Sequence, residues 1–191
     1  MIHVFVGTKA QFIKVAPLLK EFDTQAIPCR LIDSCQHKDI TRDLRTLFKI
    51  KQPDAFLETG FRNINSLPKA FLWIVRILAK LIFSKGKTKR EVFGAKPDGI
   101  CLIHGDTLST LVGLILAKSC GIKVAHLEAG LRSFDIFNPF PEELIRILCM
   151  KLSDYLFTPS QWAEDNLRAM SIKGRIINAH ENTIIDSLQL I

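Results

Sequence analysis

Residues 100–130 read ICLIHGDTLSTLVGLILAKSCGIKVAHLEAG, two short apolar runs on either side of a helical pattern. Residues 100–103 and 123–127 have the composition of buried strands, and residues 108–119 between them predict a helix. A single helix that joins two strands is the usual connection of a parallel βαβ unit. The stretch therefore predicts parallel strands with their connecting helix packed on the sheet.

The same alternation extends in both directions from this stretch. Strands are predicted at residues 2–6, 30–33, 155–157 and 175–178, and helices at residues 9–23, 39–47, 142–152 and 161–170. Pro17 lies inside the first of these helices and is expected to kink or reset it. The whole pattern predicts an α/β fold with a doubly wound parallel sheet of the Rossmann-like type.

Polar residues gather where the predicted strands end. These ends carry Gly7-Thr8-Lys9, Gln36-His37, His104-Gly105-Asp106-Thr107 and His126-Leu127-Glu128. Ligands of open parallel sheets bind beyond the carboxyl ends of the strands. We therefore expect these residues to line a pocket.

Composition and charge exclude several classes of protein. The 191 residues are 48% hydrophobic and 24% charged, which is typical of a globular domain and not of a disordered or collagen-like chain. The net charge of +7 is local, because residues 69–96 hold eight basic residues and one acid while the rest of the chain is balanced. A nucleic-acid-binding face would distribute its charge differently, so no nucleic-acid partner is expected.

Cysteine usage and hydropathy indicate the compartment. The five cysteines form no CxxC pair and lie mostly among apolar neighbours, which indicates reduced thiols. The first residues do not have the pattern of a signal peptide. The longest apolar run, residues 70–83, contains Arg76 and Lys80 and is shorter than the ~20 residues that span a bilayer. A cytoplasmic protein is expected.

The polar motifs at the strand ends each allow two interpretations. Gly7-Thr8 could bind phosphate through backbone N–H groups or simply turn the chain, and neither GxGxxG nor GxxxxGK[ST] is present to support a nucleotide loop. Asp106 could cap the following helix or serve as a pocket carboxylate. His104 and His126 are expected to be core histidines bonded to backbone, because their spacing to the nearby acids is not that of metal ligands.

Two further acids need partners. Glu128 ends an apolar strand and should be nearly buried, with Arg132 as a candidate counter-ion. Glu142 and Arg146 are four residues apart on one predicted helix, so they could pair or present an acid and a base together. Carboxylates that converge on one cleft would suit acid–base chemistry at carbon, because burial and neighbouring charges separate their pKa values.

Six blocks of sequence, in this order, resemble the non-hydrolysing UDP-N-acetylglucosamine 2-epimerase family: GTKAQFIKVAPLL, CQH, IHGDTLSTLVGLILAKSCGIKVAHLEAGLRS, NPFPEELIR, SDYLFTPSQWAEDNL and ENTIIDSL. The resemblance covers most of the chain apart from roughly residues 50–95. It implies the N-terminal half of a GT-B fold and the interconversion of UDP-GlcNAc and UDP-ManNAc. In that reaction UDP leaves with loss of the C2 proton and adds back after protonation from the other face. No metal or redox cofactor is implied.

Position by position, the resemblance assigns catalytic roles to Asp106, Glu128 and Glu142, and leaves open which of them is the base. It assigns substrate contacts to Lys9, Lys14, Gln36, His37, Arg132 and Arg146. The family's GTRPE turn is GTKAQ here, so Lys9 replaces an arginine and lacks its planar fork, and Gln11 replaces a glutamate. The family's GNT block has Glu181 in place of glycine.

The resemblance also implies a division of the chain. Residues 1–180 correspond to a Rossmann-like N-terminal domain and residues 181–191 to the start of an interdomain hinge helix, with the second, UDP-binding domain absent. The chain alone is therefore expected to be inactive, with a UDP-sugar as substrate. Three origins are open: a truncated product, a split enzyme whose C-terminal half is a separate chain, and a retained non-catalytic domain. The alternative is a non-catalytic or split-subunit module of GT-B type that binds a nucleotide sugar or a partner.

The basic segment, residues 69–96, lies outside the epimerase-like blocks. Lys69, Arg76, Lys80 and Lys87 recur at intervals of 7, 4 and 7, which predicts a narrow basic stripe on an apolar helix. One interpretation is a core helix or the interface of a homodimer, with one solvated face. The other is an interfacial helix that rests weakly on an anionic membrane surface and is followed by a flexible basic loop to Lys96.

Overall fold

The computed structural model describes residues 1–58, 60, 63–64, 66–95 and 97–190. In these residues the elements are β1 (Ile2–Val6), α1 (Lys9–Thr24), β2 (Cys29–Asp33), α2 (Lys38–Phe48), β3 (Ala55–Phe56), α3 (Leu67–Phe83), α4 (Lys85–Phe93), β4 (Ile100–His104), α5 (Leu108–Ser119), β5 (Lys123–Leu127), α6 (Glu142–Leu152), β6 (Tyr155–Thr158), α7 (Gln161–Ala169), β7 (Arg175–Asn178) and α8 (Ile184–Gln189). The strands form one sheet in the order β3-β2-β1-β4-β5-β6-β7, and every pairing is parallel. The predicted doubly wound parallel sheet is confirmed.

The strand order reverses between β1 and β4. Ile2 of β1 is in register with Cys29 of β2 on one side and with Ile100 of β4 on the other. From this point the chain winds outward in both directions, which makes the gap between the two strands the topological switch point. The turns that start α1 and α5 meet there, so residues 7–9 and 105–107 lie where a ligand is expected.

Both faces of the sheet carry helices. On one face, Phe5, Ile32 and Ile103 belong to a core that includes Trp73 of α3 and Leu114 of α5. On the other face, a second core joins strand residues to α1 and α2. Each fully buried aliphatic or aromatic side chain contributes on the order of 1.5–3 kcal/mol, so these two cores fix the positions of the strand ends.

One part of the second face is open. There α1 and α2 cover β1 and β2, whereas the β4–β6 region borders an apolar groove of about 550 Å³. Its floor includes Ile100, Leu102, Ala125, Tyr155 and Phe157. Parallel sheets normally have both faces covered, and the described residues leave this part of the face accessible.

Two elements differ from the prediction. The membrane-surface interpretation placed a flexible basic loop after the helix, and that part of it is wrong: α4 forms there because Thr88, Val92 and Phe93 are buried and anchor the helix to the core. Strand β3, only two residues long, was not predicted, since so short a run has no period. In α1 the helix continues through Pro17, so no reset of the helix occurs.

The predicted basic stripe does not lie on one helix. Helix α3 ends at Phe83, so Lys87 belongs to α4, and Lys96 lies outside the described residues. The ammonium of Lys80 donates to the Leu57 carbonyl oxygen at 2.9 Å and lies 3.0 Å from a carboxylate oxygen of Glu58. Lys80 therefore links α3 to the loop after β3 through a hydrogen bond and an ion pair. Within the described part of the chain, no helix is long and apolar enough to cross a bilayer.

Candidate functional site

The turn between β1 and α1 is closed by Gln11. The Thr8 hydroxyl accepts from the Gln11 N–H at 3.3 Å, and Gln11 Oε1 accepts from the N–H groups of Gly7 and Thr8 at 3.0 and 3.2 Å. The Gln11 amide donates in turn to the His104 carbonyl oxygen at 2.9 Å and to the Thr110 hydroxyl at 2.8 Å. The turn's N–H groups are thus already engaged, which contradicts a phosphate-binding role for them and supports the capping interpretation.

Asp106 is a side-chain partner of Arg146. The N-cap of α5 is Thr107, whose hydroxyl accepts from the Thr110 N–H at 3.3 Å, so the prediction of Asp106 as the cap is wrong. One guanidinium nitrogen of Arg146 donates to Asp106 Oδ2, and the other terminal nitrogen donates to Glu143 at 2.8 Å. Arg146 thereby connects the end of β4 to α6.

The fully buried acid of α6 is Glu143. Its two carboxylate oxygens accept from Arg132 Nε at 2.5 Å, from Arg146 Nη1 at 2.8 Å and from the Ser133 N–H at 3.1 Å. Burial acts to raise the pKa of Glu143, but the hydrogen bonds and charges of the two arginines outweigh it and lower the pKa. A buried carboxylate with two cations is a stable anchor for both arginines.

Two candidate ion pairs are not formed. Arg132, the candidate counter-ion of Glu128, binds Glu143 instead. Of the two alternatives for Glu142 and Arg146, pairing does not occur, since Arg146 binds Glu143 and Asp106. On α6 the three-residue spacing brings Glu143 beside Arg146, while the carboxylate of Glu142 faces another direction. A four-residue spacing alone does not decide which neighbour an arginine selects.

Glu142 faces a cavity of about 520 Å³ at the switch point. Its Oε2 atom is buried and has no hydrogen-bond partner among the described residues. The same cavity is lined by four other predicted site residues: Lys9, Gln36, His37 and Asp106. Glu142 thus lines the cavity, and one oxygen of its carboxylate is buried without a partner among the described residues.

The loop after β2 supplies the amide and the imidazole of this cavity. Gln36 Oε1 accepts from the N–H and the hydroxyl of Ser109 at 3.2 and 2.6 Å, which fixes the side chain against the start of α5. The N–H of His37 donates to the Gly7 carbonyl oxygen at 2.8 Å, so the loop is joined to the β1 turn. Burial lowers the pKa of His37, and the charge of Asp33 opposes this only in part.

Glu128 belongs to a different cluster. Lys14 Nζ lies 2.5 and 2.7 Å from its two carboxylate oxygens, and the Asn182 amide donates to Oε1 at 2.5 Å. Glu128 has a φ of +62°, a left-handed conformation that costs about 1 kcal/mol or more outside glycine. Burial acts to raise its pKa, but His104, Lys14 and Asn182 outweigh burial and lower the pKa. The side chain borders the apolar groove and not the cavity that Glu142 faces.

The two histidines at the strand ends are neutral at pH 7. Burial lowers the pKa of His104 to about 4 and that of His126 to about 4. His126 Nε2 lies 2.7 Å from the Gly105 carbonyl oxygen, as expected for a core histidine. His104 Nδ1 instead lies 3.7 Å from Glu128 Oε2, so this ring contacts the carboxylate cluster.

The predicted site residues thus fall into two clusters, one around the cavity that Glu142 lines and one around Glu128. Two residues that were not predicted, Glu143 and Asn182, hold the functional side chains in place. Asn182 stands in the block that resembles GNT, and Glu143 stands three residues before Arg146, so both positions carried a sequence signal. Among the described residues, no group of three or more His, Cys, Asp or Glu side chains could hold a metal ion.

Comparison with known proteins gives consistent results. A family model for UDP-N-acetylglucosamine 2-epimerase matches residues 20–191. A UDP-N-acetylglucosamine 2-epimerase of Methanococcus maripaludis is 32% identical over 97% of this chain and 46% of its own length. One of Neisseria meningitidis is 32% identical over 96% of this chain and 46% of its own length.

Solved structures agree on the fold. The UDP-GlcNAc 2-epimerase of Neisseria meningitidis bound to UDP-GlcNAc matches with a TM-score of 0.76 and 30% identity, over 99% of this chain and 48% of that one. A second UDP-N-acetylglucosamine 2-epimerase structure gives a TM-score of 0.78 at 33% identity, over 99% of this chain and 49% of that one. The predicted half of a GT-B fold is confirmed, and the chain spans about half the length of the relatives that it matches.

Proposed function

Because the chain belongs to the UDP-N-acetylglucosamine 2-epimerase family, we propose that it provides the carboxylate-bearing half of a site that interconverts UDP-GlcNAc and UDP-ManNAc. The observation that carries the proposal is the cavity at the switch point, where the buried Oε2 of Glu142 has no partner among the described residues. Asp106 and Lys9 line the same cavity. An acid, a second acid and a cation are the groups that the reaction needs.

Glu142 is proposed as the group that exchanges the C2 proton. In the forward step the C2–H bond breaks and the proton passes to the carboxylate, while the C1–O bond breaks and UDP leaves with its electron pair. A C1=C2 double bond is left. Protonation of C2 from the opposite face by a water molecule, and return of UDP to C1, give the epimer, while the proton on Glu142 passes back to solvent.

Ion pairing separates the roles of the other charged residues. Glu128 is held by Lys14 and Asn182, so it is proposed to bind and orient the substrate and not to exchange protons. Lys9 is exposed at the cavity and is proposed to contact the diphosphate, where a cation stabilises the charge that develops on UDP. Arg146 is proposed to keep Asp106 in place and to add positive charge nearby.

The relatives are about twice as long as the chain, so a second half belongs to the proposal. Residues 1–180 would form the first domain and residues 181–191 the start of a hinge, with Asn182 joining that segment to Glu128. The chain alone is proposed to be inactive and to require a second half that corresponds to the rest of the relatives' length. The homodimer and the cytoplasmic location stay predictions.

The test joins this chain to the remaining half of a matched relative. The chimera should convert UDP-GlcNAc and exchange its C2 proton for deuterium in heavy water, whereas the separate chain should do neither. Glu142→Gln should lower the exchange rate by about 10²–10⁴, the usual contribution of a general base, and leave UDP binding intact. Glu21→Gln, at an exposed acid on α1, is the matched control.

Each result has a distinct meaning. Exchange by the separate chain would overturn the requirement for a second half. A Glu142→Gln chimera that exchanges at the full rate would overturn the role of Glu142. Binding of UDP-GlcNAc without exchange by any chimera would favour the binding module over the enzyme.

A further inference from the structure

The last turn of α3 ends in two apolar side chains that the fold does not cover. Ile82 is 74% exposed and Phe83 is 84% exposed, the highest value among the large hydrophobic side chains of the described residues. The buried side of the same turn is Leu81, which belongs to the core. Packing of the helix therefore accounts for Leu81 and leaves the other two side chains in solvent. The two adjacent side chains form a small apolar patch at the end of the helix.

Cations follow directly in α4. The first six residues of α4 include four cations: Lys85, Lys87, Lys89 and Arg90. The acid within α4 is Glu91, 3.8 Å from Lys87. Other described acids at this end of the sheet already have partners, since Asp98 lies 3.8 Å from the N-terminus and Asp154 lies 2.8 Å from Lys118. The surface around the two apolar side chains is therefore positive.

We propose that the α3–α4 corner, defined as Ile82, Phe83, Lys85, Lys87, Lys89 and Arg90, docks on an anionic lipid surface. Apolar side chains beside a cluster of cations are the arrangement by which peripheral proteins bind such surfaces, with the side chains entering the headgroup boundary and the cations facing lipid phosphates. This surface is separate from the proposed function and does not depend on it.

Charge favours lipid over a second copy of the chain. In a two-fold contact whose axis passes through the corner, each cluster of four cations would lie against the same cluster of its partner, and like charges at close range destabilise such a contact. An anionic bilayer supplies the opposite charge over the whole area. Docking would also leave the proposed site open, because α4 leads into the amino end of β4 while the cavity lies at the carboxyl ends of the strands.

The test is sedimentation of the full chain with vesicles. Phosphatidylcholine vesicles that contain roughly a third phosphatidylglycerol should bind the chain, and pure phosphatidylcholine vesicles should not. Binding should weaken as salt rises toward about 0.15 M and beyond. The triple variant Lys85→Gln, Lys87→Gln and Arg90→Gln should bind roughly 100-fold more weakly, about fivefold for each charge near the surface. The double variant Ile82→Ser and Phe83→Ser should also lose binding.

The control has the same change of charge elsewhere. Lys49→Gln, Lys151→Gln and Lys173→Gln alter three exposed lysines outside the corner and should bind as the unchanged chain does. All these side chains are exposed, so circular dichroism should show folded variants. Failure of the unchanged chain to bind anionic vesicles would overturn the proposal. So would a corner variant that still binds vesicles but loses self-association in sedimentation velocity, since the corner would then be a contact between copies.

Discussion

At the scale of single residues, Gln11 is the best-connected polar side chain near the switch point. It is buried and bonds to two N–H groups of its own turn and to the backbone and side chain of the β4–α5 turn. An ionised glutamate, the residue expected here from the family, could accept the same N–H groups but could not donate to the His104 carbonyl oxygen. The amide suits this environment.

Gln11→Leu should destabilise the chain by about 2–4 kcal/mol, because the buried N–H groups of Gly7 and Thr8 would lose their acceptor. Gln25→Leu, at an exposed glutamine just after the same helix, should change the free energy of unfolding by less than about 0.5 kcal/mol. Urea unfolding of both variants measures the difference. Equal effects would show that the buried bonds of Gln11 contribute nothing specific.

The sequence predicts where along the elements the polar site residues lie, but it does not predict which side chains they pair with. Asp106, Glu128 and Glu142 were placed correctly at strand and helix ends, because hydrophobic patterns define those ends. The counter-ions of Asp106 and Glu128 were not predicted. Asp106 pairs with an arginine 40 residues away, and Glu128 pairs with a lysine 114 residues away. Such contacts follow from the packing of whole elements, which local spacing does not contain.

At the scale of elements, the packing of α7 against the end of β5 depends on Gly130. This residue has a φ of +90°, its N–H donates to the Met150 sulfur at 3.2 Å, and its carbonyl oxygen accepts from the Asn166 amide at 2.9 Å. A Cβ atom here would lie 2.1 Å from the Ala163 carbonyl oxygen, which is backbone of α7. Helix α7 can approach this closely only because no side chain intervenes.

Comparison of two glycine variants separates this clash from backbone strain. Gly121 also has a positive φ, +75°, but a Cβ atom there would meet nothing within 4 Å. Gly121→Ala should therefore cost about 1–2 kcal/mol for the left-handed conformation alone. Gly130→Ala should cost more than about 4 kcal/mol or prevent folding, as measured by thermal unfolding and by recovery of folded protein. Similar losses in the two variants would contradict a backbone clash.

The elements that were missed share a physical cause. In α4 three buried side chains outweigh a composition rich in lysine, and β3 is fixed by two pairings with β2 and not by a pattern of its own. Tertiary contacts decide both cases. By contrast, the elements of residues 100–130 were predicted almost to the residue, because each is long enough to show its own period.

At the scale of the whole molecule, burial of neutral histidines makes stability depend on pH. The pKa values of His104 and His126, about 4, lie below the usual value of 6.5, so the unfolded chain binds more protons between these limits. Stability contributed by the two histidines is therefore present above pH 6.5 and is lost as pH falls toward 4.

Between pH 7 and pH 5 the free energy of unfolding should fall by on the order of 1–3 kcal/mol for each of these histidines. His126→Gln keeps a donor for the Gly105 carbonyl oxygen and should remove part of this pH dependence, whereas His180→Asn, at an exposed histidine, should not. Urea unfolding at several pH values gives both slopes. A His126→Gln variant with an unchanged slope would mean that His126 does not titrate on unfolding.

The open groove beside β4–β6 has a practical consequence for anyone who assays folding of this chain. Anilinonaphthalene sulfonate becomes fluorescent on accessible apolar surface, and a bright signal is commonly taken as the mark of a molten globule. Here a groove of about 550 Å³, with Leu102, Tyr155 and Phe157 in its lining, offers the dye a binding place in the fully packed protein. Dye brightness is therefore a poor measure of disorder for this chain. The near-ultraviolet circular dichroism of Trp73, which is buried in the core, is the better signal.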